Sequence, residues 1–155
     1  MKEFNDIIFK IAKRIYSQLS GFEEKYYQAA LGIEFRKKGI DFMREAGLEL
    51  FYEEHPLGLH ELDFLITPCY DLKEPLIIET KVGSAIADSH RQQLKNYLRS
   101  ASKNKNVIIK NIEIGMILNF NNSEQITKGQ RKKKETQDIE IEIWKYKKNR
   151  FLKFF

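Results

Sequence analysis

Cysteine is nearly absent from this chain. Cys69 stands alone among 155 residues, which excludes an internal disulfide and any zinc or iron–sulfur site built only from cysteines of this chain. A reducing, intracellular setting such as cytoplasm or nucleus is the expectation that follows. Histidine is scarce as well: His55, His60 and His90 are too dispersed for a zinc motif, and His60 and His90 read as bystanders or substrate contacts. Long apolar runs are also missing. No stretch approaches the roughly 18 to 20 apolar residues needed to span a bilayer, and Glu3, Asp6, Lys10, Lys13 and Arg14 interrupt the start too often for a secretory leader. No internal repeat and no second domain are visible.

What is present is a core and an excess of positive charge. The content is 42% hydrophobic and 12% aromatic, enough for one globular domain over residues 1–155. Lys and Arg number 27 against 22 Asp and Glu, giving a net charge of +5 and a pI near 9.2, a balance that favours a polyanionic partner. Much of the basic charge gathers between about residues 121 and 137, where Lys128, Arg131, Lys132, Lys133 and Lys134 form a phosphate-attracting run or a solvated loop.

The periodicities predict an α/β chain. Phe4, Ile7, Ile8, Ile11, Ile15 and Leu19 recur at helical spacing. Ser20 and Gly21 break that stripe, and a second helix is expected from about Phe22 to Lys38, stopped by Gly39, with Tyr26, Ala30 and Ile33 facing the core. Leu48 to Tyr52 and His60 to Thr67 read as a hairpin turning at Pro56 to Gly58. Leu76 to Val82 reads as a central strand buried on both faces, Ile86 to Ser100 as a crossover helix, and Ile112 to Phe120 as a fourth strand. A terminal strand at about 138–146 alternates Ile139, Ile141 and Ile143 with Glu140 and Glu142, the period of a strand with one wet face. Phe151, Leu152, Phe154 and Phe155 dock either on the body or on a second subunit.

Against this apolar background a few charged residues stand out. Alternation along the central strand projects Glu79 and Lys81 to one face and Ile78, Thr80 and Val82 to the other. Burying an acid and an amine is costly unless they pair with each other or hold an ion, so this is either an ion pair at a strand end or part of a site. Asp63 interrupts the preceding strand between Leu62 and Phe64, as a solvated edge position or as a second acid converging on Glu79. Two such carboxylates are the hard oxygen donors that magnesium or manganese prefers. Glu24 lies in the first turn of helix two on the side of Tyr27 and Leu31, where the helix dipole favours an acid whatever its role. Gln93 and Tyr97 sit one turn apart on the crossover helix and could orient a ligand, a phosphate or a base.

Taken in order, Glu24, Asp63, Glu79-Thr80-Lys81 and Gln93-x-x-x-Tyr97 resemble the PD-(D/E)XK nuclease superfamily and its RecB-like branch, and Gly21 to Tyr27 matches the GxxExxY signature of one small-protein family within it. The resemblance covers roughly Phe4 to Phe120. It implies a restriction-endonuclease-like core, a mixed sheet flanked by helices in the order αα-βββ-α-β. It also implies a Mg2+-dependent nuclease, with Mn2+ able to substitute, that hydrolyses phosphodiester bonds of DNA ahead of RNA by metal-assisted attack of water.

Carried over position by position, Asp63, Glu79 and Glu24 would bind the metal together with Thr80. Lys81 would position or activate the water, and Gln93, Tyr97 and the basic run would contact substrate. Leu62 stands where the superfamily's name pattern has proline, the least informative part of that pattern. Such compact domains often dimerise or act beside a helicase or other processing partner. The rival expectation is a noncatalytic nucleic-acid-binding or assembly module, against which the intact acids and lysine argue.

Overall fold

A computed structural model of the chain describes residues 1–122 and 137–155. The basic positions Lys128, Arg131, Lys132, Lys133 and Lys134 therefore lie outside the described residues. Two helices come first, α1 (Lys2–Leu19) and α2 (Glu24–Lys37), then strands β1 (Phe42–Tyr52), β2 (His55–Ile66) and β3 (Leu76–Val82). Helices α3 (Asp88–Ala101) and the one-turn α4 (Val107–Lys110) follow, and β4 (Ile114–Phe120), β5 (Ile139–Lys147) and β6 (Arg150–Lys153) close the chain. The six strands form one mixed sheet in sequence order, with β3 and β4 parallel and every other pair antiparallel. Among the described residues no helix is long and apolar enough to cross a membrane.

The sheet carries helices on both faces because its central strands are apolar on both. Phe64, Ile66, Leu76, Ile78, Met116 and Leu118 pack with α1 and α2, while Leu65, Ile77 and Ile117 pack with Leu94, Tyr97 and Leu98 of α3. One contact fixes how closely α3 can lie: a Cβ on Gly115 of β4 would sit 2.5 Å from Leu94 Cδ1, so only glycine leaves room for that leucine. The parallel β3–β4 pair needs a crossover, and α3 supplies it.

Several expectations need correction. The buried stripe of α2 is Tyr27, Leu31 and Phe35, whereas Tyr26 and Ile33 are about half exposed, at 46% and 51%. Both stripes have helical spacing, and only the one facing β3 and β4 is covered. The hairpin turns at Glu53–Glu54 and not at Pro56–Gly58: Glu53 takes a left-handed φ of 53°, and Pro56 pairs with Phe51 inside the ladder. The acid face of β5 is not wet. Glu142 is 8% exposed because Arg91 of α3 grips it, and Glu140 accepts the Ile86 N–H at 2.8 Å. Of the terminal aromatics only Phe151 packs on the body, stacked on Tyr146, while Leu152, Phe154 and Phe155 stay about half exposed. β6 pairs with β5 after a turn whose central residues, Lys148 and Asn149, have φ of 50° and 60°, the signs a tight hairpin demands.

Candidate active site

The β2–β3 ladder stops at the Phe64–Ile78 rung. Asp63 and Glu79 are the next residue on each strand, and beyond the rung their carboxylates take the backbone donors that a further rung would have used. The Thr80 N–H donates to Asp63 Oδ2 at 2.8 Å, the Thr80 hydroxyl donates to the same oxygen at 2.7 Å, and the Asp63 N–H reaches Glu79 Oε1 at 3.4 Å. The neighbouring hairpin rotates at the same step. Arg44 and Phe64 lie toward α2, Ala46 and Leu62 toward α3, and Glu45 between them has a φ of 56°. A split in the sheet thus opens beside two acids, where the chain has no ladder to defend.

Helix α2 brings the third acid. Glu24 is half-buried in its first turn, and one turn later Gln28 ties the helix to the strands. The Gln28 amide donates to Thr80 Oγ1 at 2.8 Å and to Glu24 Oε1 at 3.2 Å, and its carbonyl oxygen accepts from Arg44 Nη2 at 3.0 Å. One amide therefore spans β1, β3 and the acids. Sequence reading missed Gln28 and Arg44. The available signal was spacing, since Gln28 follows Glu24 by four residues and shares its helix face.

The electrostatics are those of acids crowded out of water. Glu79 is 3% exposed, and burial, reinforced by the nearby Asp63 carboxylate, pushes its pKa from 4.5 up to about 8. Glu24 is raised for the same two reasons, burial first and Asp63 second. The Lys81 ammonium lies close enough to counter the rise in both. Burial and the nearby Glu79 raise Tyr97, which is also hydrogen-bonded to Gln93. So the structure brings together Glu24, Asp63, Glu79, Thr80, Lys81, Gln93 and Tyr97.

The histidines divide. His60 stacks on Tyr97 with ring centroids 4.4 Å apart, is lowered by burial, and has an Nε2 that is buried without a hydrogen-bond partner. His90 Nδ1 accepts the Ala87 N–H at the start of α3, and burial lowers its pKa. His55 opens β2 at the exposed hairpin tip.

The donor set suits a hard divalent cation. Burial and the nearby Asp63 raise the pKa of both Glu24 and Glu79, and a divalent cation beside them would favour the ionised form of each. Among the described residues, however, no three His, Cys, Asp or Glu side chains already stand close enough together to hold an ion as a group. The reason is visible in the bonding: Asp63 Oδ2 is spent on Thr80 and one Glu24 oxygen on Gln28. Binding an ion would draw these side chains inward from a frame that is already in place.

Residues 2–133 match the family model described as the PD-(D/E)XK nuclease superfamily. No curated protein and no solved structure matches the chain significantly.

Proposed function

The chain belongs to the PD-(D/E)XK nuclease superfamily, and from that premise we propose that it hydrolyses phosphodiester bonds of DNA with a divalent cation, Mg2+ foremost, held by Asp63 and Glu79. Its six-stranded mixed sheet with helices on both faces is a restriction-endonuclease-like fold. The observation that carries the proposal is the juxtaposition, where the central sheet splits, of two acids and Lys81, with Glu79 buried enough to hold a proton up to about pH 8. A structural ion pair would lower that pKa. A strongly raised acid beside a second acid is a pair in need of a cation. Within the superfamily we place the chain in the GxxExxY, RecB-like group, on Gly21, Glu24 and Tyr27 at the start of α2 and on the Gln93–Tyr97 pair facing the acids.

Each residue then has a role it can perform where it stands. Asp63 and Glu79 would hold the cation, with Glu24 as a third carboxylate and Thr80 contributing from the same strand. The cation, when bound, neutralises charge on the phosphate and favours hydroxide over water. Lys81, on the strand face of Glu79, puts an ammonium beside the attacking oxygen and stabilises its deprotonated form. Gln28 holds Thr80 and Glu24 in register with each other, and Arg44 holds Gln28. Tyr97 and Gln93 form the wall against which the substrate lies.

The test is cleavage of end-labelled DNA and RNA in Mg2+, Mn2+ or EDTA by the wild type, Asp63→Ala and Lys81→Ala. Metal-dependent cutting lost in both folded variants supports the reading. Binding without cutting, indifferent to both substitutions, would replace it with a noncatalytic nucleic-acid-binding module.

A further inference from the structure

Beyond the acids the β1–β2 hairpin continues as a two-stranded arm. β3 pairs only with Phe64 to Ile66, so the arm from Ala46 outward has no third strand on that side and leans over α3 instead. Its edge is fastened there. Asn104, just past α3, accepts the Glu49 N–H at 3.0 Å and donates to the Glu49 carbonyl at 3.0 Å, and Ser100 Oγ accepts the Phe51 N–H at 3.2 Å. Between arm and helix runs a groove of about 920 Å³.

The groove has two chemically different walls. The arm contributes Leu50, Tyr52 and Leu57 with Glu53 at its tip, and α3 contributes the adjacent amides of Gln92 and Gln93 and, one helical turn on, that of Asn96. Its inner end is the stacked His60–Tyr97 pair, whose two rings both sense the charge of Asp63. Arg99 and Lys103 stand along the outer part. From Ser89 to Ser100 the helix wall is about 17 Å long at 1.5 Å per residue.

We propose that this groove seats the unpaired strand of the nucleic-acid substrate, its bases between α3 and the hairpin arm and its backbone leading to the acids. The proposal rests on the nuclease reading and names the form of substrate. Flat rings and aliphatic side chains offer faces on which unstacked bases gain contact, and amides match base edges in donors and acceptors. Arg99 supplies positive charge for a phosphate backbone, while Lys103 is already held by the Glu53 carbonyl and paired with Glu54. A duplex has no use for these walls. Its base faces are covered by their neighbours, its pairing edges are occupied, and it would present phosphates to a surface made largely of carbon and amide.

Tyr52 and Leu57 are 65% and 67% exposed, so they can be changed without disturbing the core. Fluorescence anisotropy in EDTA would compare a labelled oligodeoxythymidylate with a blunt duplex of equal length, for the wild type and for the Tyr52→Ala/Leu57→Ser double variant. Ile33→Ser, on the exposed side of α2, serves as the control. The expected result is tighter binding of the single strand than of the duplex by the wild type. The double variant should lose about tenfold in single-strand affinity, as befits a lost stacking contact, and the control none. Equal or tighter duplex binding, or single-strand affinity unchanged in the double variant, overturns the proposal. Because the readout needs no turnover, the two readings fail separately. Cutting that ignores the groove variant sinks only this inference, and groove-dependent binding without cutting sinks only the nuclease.

Discussion

Asp63 and Glu79 each cap a backbone N–H across the strand boundary, Glu79 that of Asp63 itself and Asp63 that of Thr80, just past the last rung of the β2–β3 ladder. The bonds that end the sheet are thus the bonds that orient the two acids, and the first prediction concerns their charge.

Glu79 ionises near pH 4.5 when unfolded and at about 8 when folded, so the folded state holds its proton more tightly. Its burial costs nothing below the unfolded pKa and an increasing amount as pH rises from about 4.5 to about 8. The metal-free protein should therefore lose melting temperature across that window, and Glu79→Gln should remove the Glu79 part of the slope. Mg2+ should restore stability toward the alkaline end and release protons as it binds, seen as a calorimetric enthalpy that varies with the buffer. A slope identical in wild type and Glu79→Gln would refute the assignment.

A second prediction follows from the amide at the centre of the network. Gln28→Ala removes the donor to Thr80 and to Glu24 and the acceptor for Arg44, leaving the acids present but less well held. Metal affinity or turnover should fall by about 10- to 100-fold, the usual effect of losing a residue that orients ligands. Gln28→Glu keeps the acceptor for Arg44 but adds a fourth negative charge, so it should tighten metal binding while failing to restore the donor to Thr80. Equal, purely thermal destabilisation by both variants, with metal affinity unchanged, would reduce Gln28 to a packing residue.

How much of this was legible in advance depended on whether a residue's neighbours lie nearby in sequence. β3 was read to its last residue because Leu76-Ile77-Ile78 is bounded by Pro75 and Gly83, and the acids stood out against that apolar run. The hairpin turn was misplaced because Pro56 and Gly58 look like punctuation. On an arm with no third strand, a proline's missing N–H costs no ladder bond, and the left-handed turn residue was a glutamate. The face of α2 was misread because Tyr26-Ala30-Ile33 and Tyr27-Leu31-Phe35 have equal claim to helical spacing until β3 and β4 cover one of them. Gln28 and Arg44 carried no signal of their own: an amide becomes a hub only when strands distant in sequence arrive around it. β6 is four residues without alternation, and its turn has no glycine.

A third prediction tests the seating of α3, which carries Gln93 and Tyr97. Gly115→Ala places a methyl group 2.5 Å from Leu94 Cδ1 and 3.0 Å from its Cγ, so the whole leucine must move, not only its tip. Overpacking of this kind costs about 1–3 kcal/mol. Denaturant unfolding should show that loss, and Gly115→Ala/Leu94→Ala should recover part of the overpacking cost relative to the Leu94→Ala background. If the two substitutions simply add, the close approach of β4 and α3 is not what requires glycine.

A different carboxylate, Glu142, should contribute to the acid branch of the stability profile, alongside Asp71, which the N-terminal ammonium and the Phe4 and Glu3 N–H groups also lower to about 2. Glu142 is nearly buried, which alone would raise its pKa, but Arg91 grips both its oxygens at 2.7 and 2.8 Å and Lys153 and Trp144 add further donors, so its pKa is lowered to about 2. With a folded pKa below the unfolded 4.5, Glu142 stabilises the protein fully above that value and progressively less as pH falls toward about 2. Its slope is thus opposite in sign to that of Glu79. Glu142→Gln keeps the shape and some hydrogen bonds but not the charge, and should cost about 1–3 kcal/mol at neutral pH with little loss near pH 2, where the wild-type side chain is itself half protonated. Melting curves of the two proteins that stay parallel from neutral pH down to that value would show that the Arg91–Glu142 fork contributes no charge-dependent stability. The tie between α3 and β5 would then have to rest on packing alone.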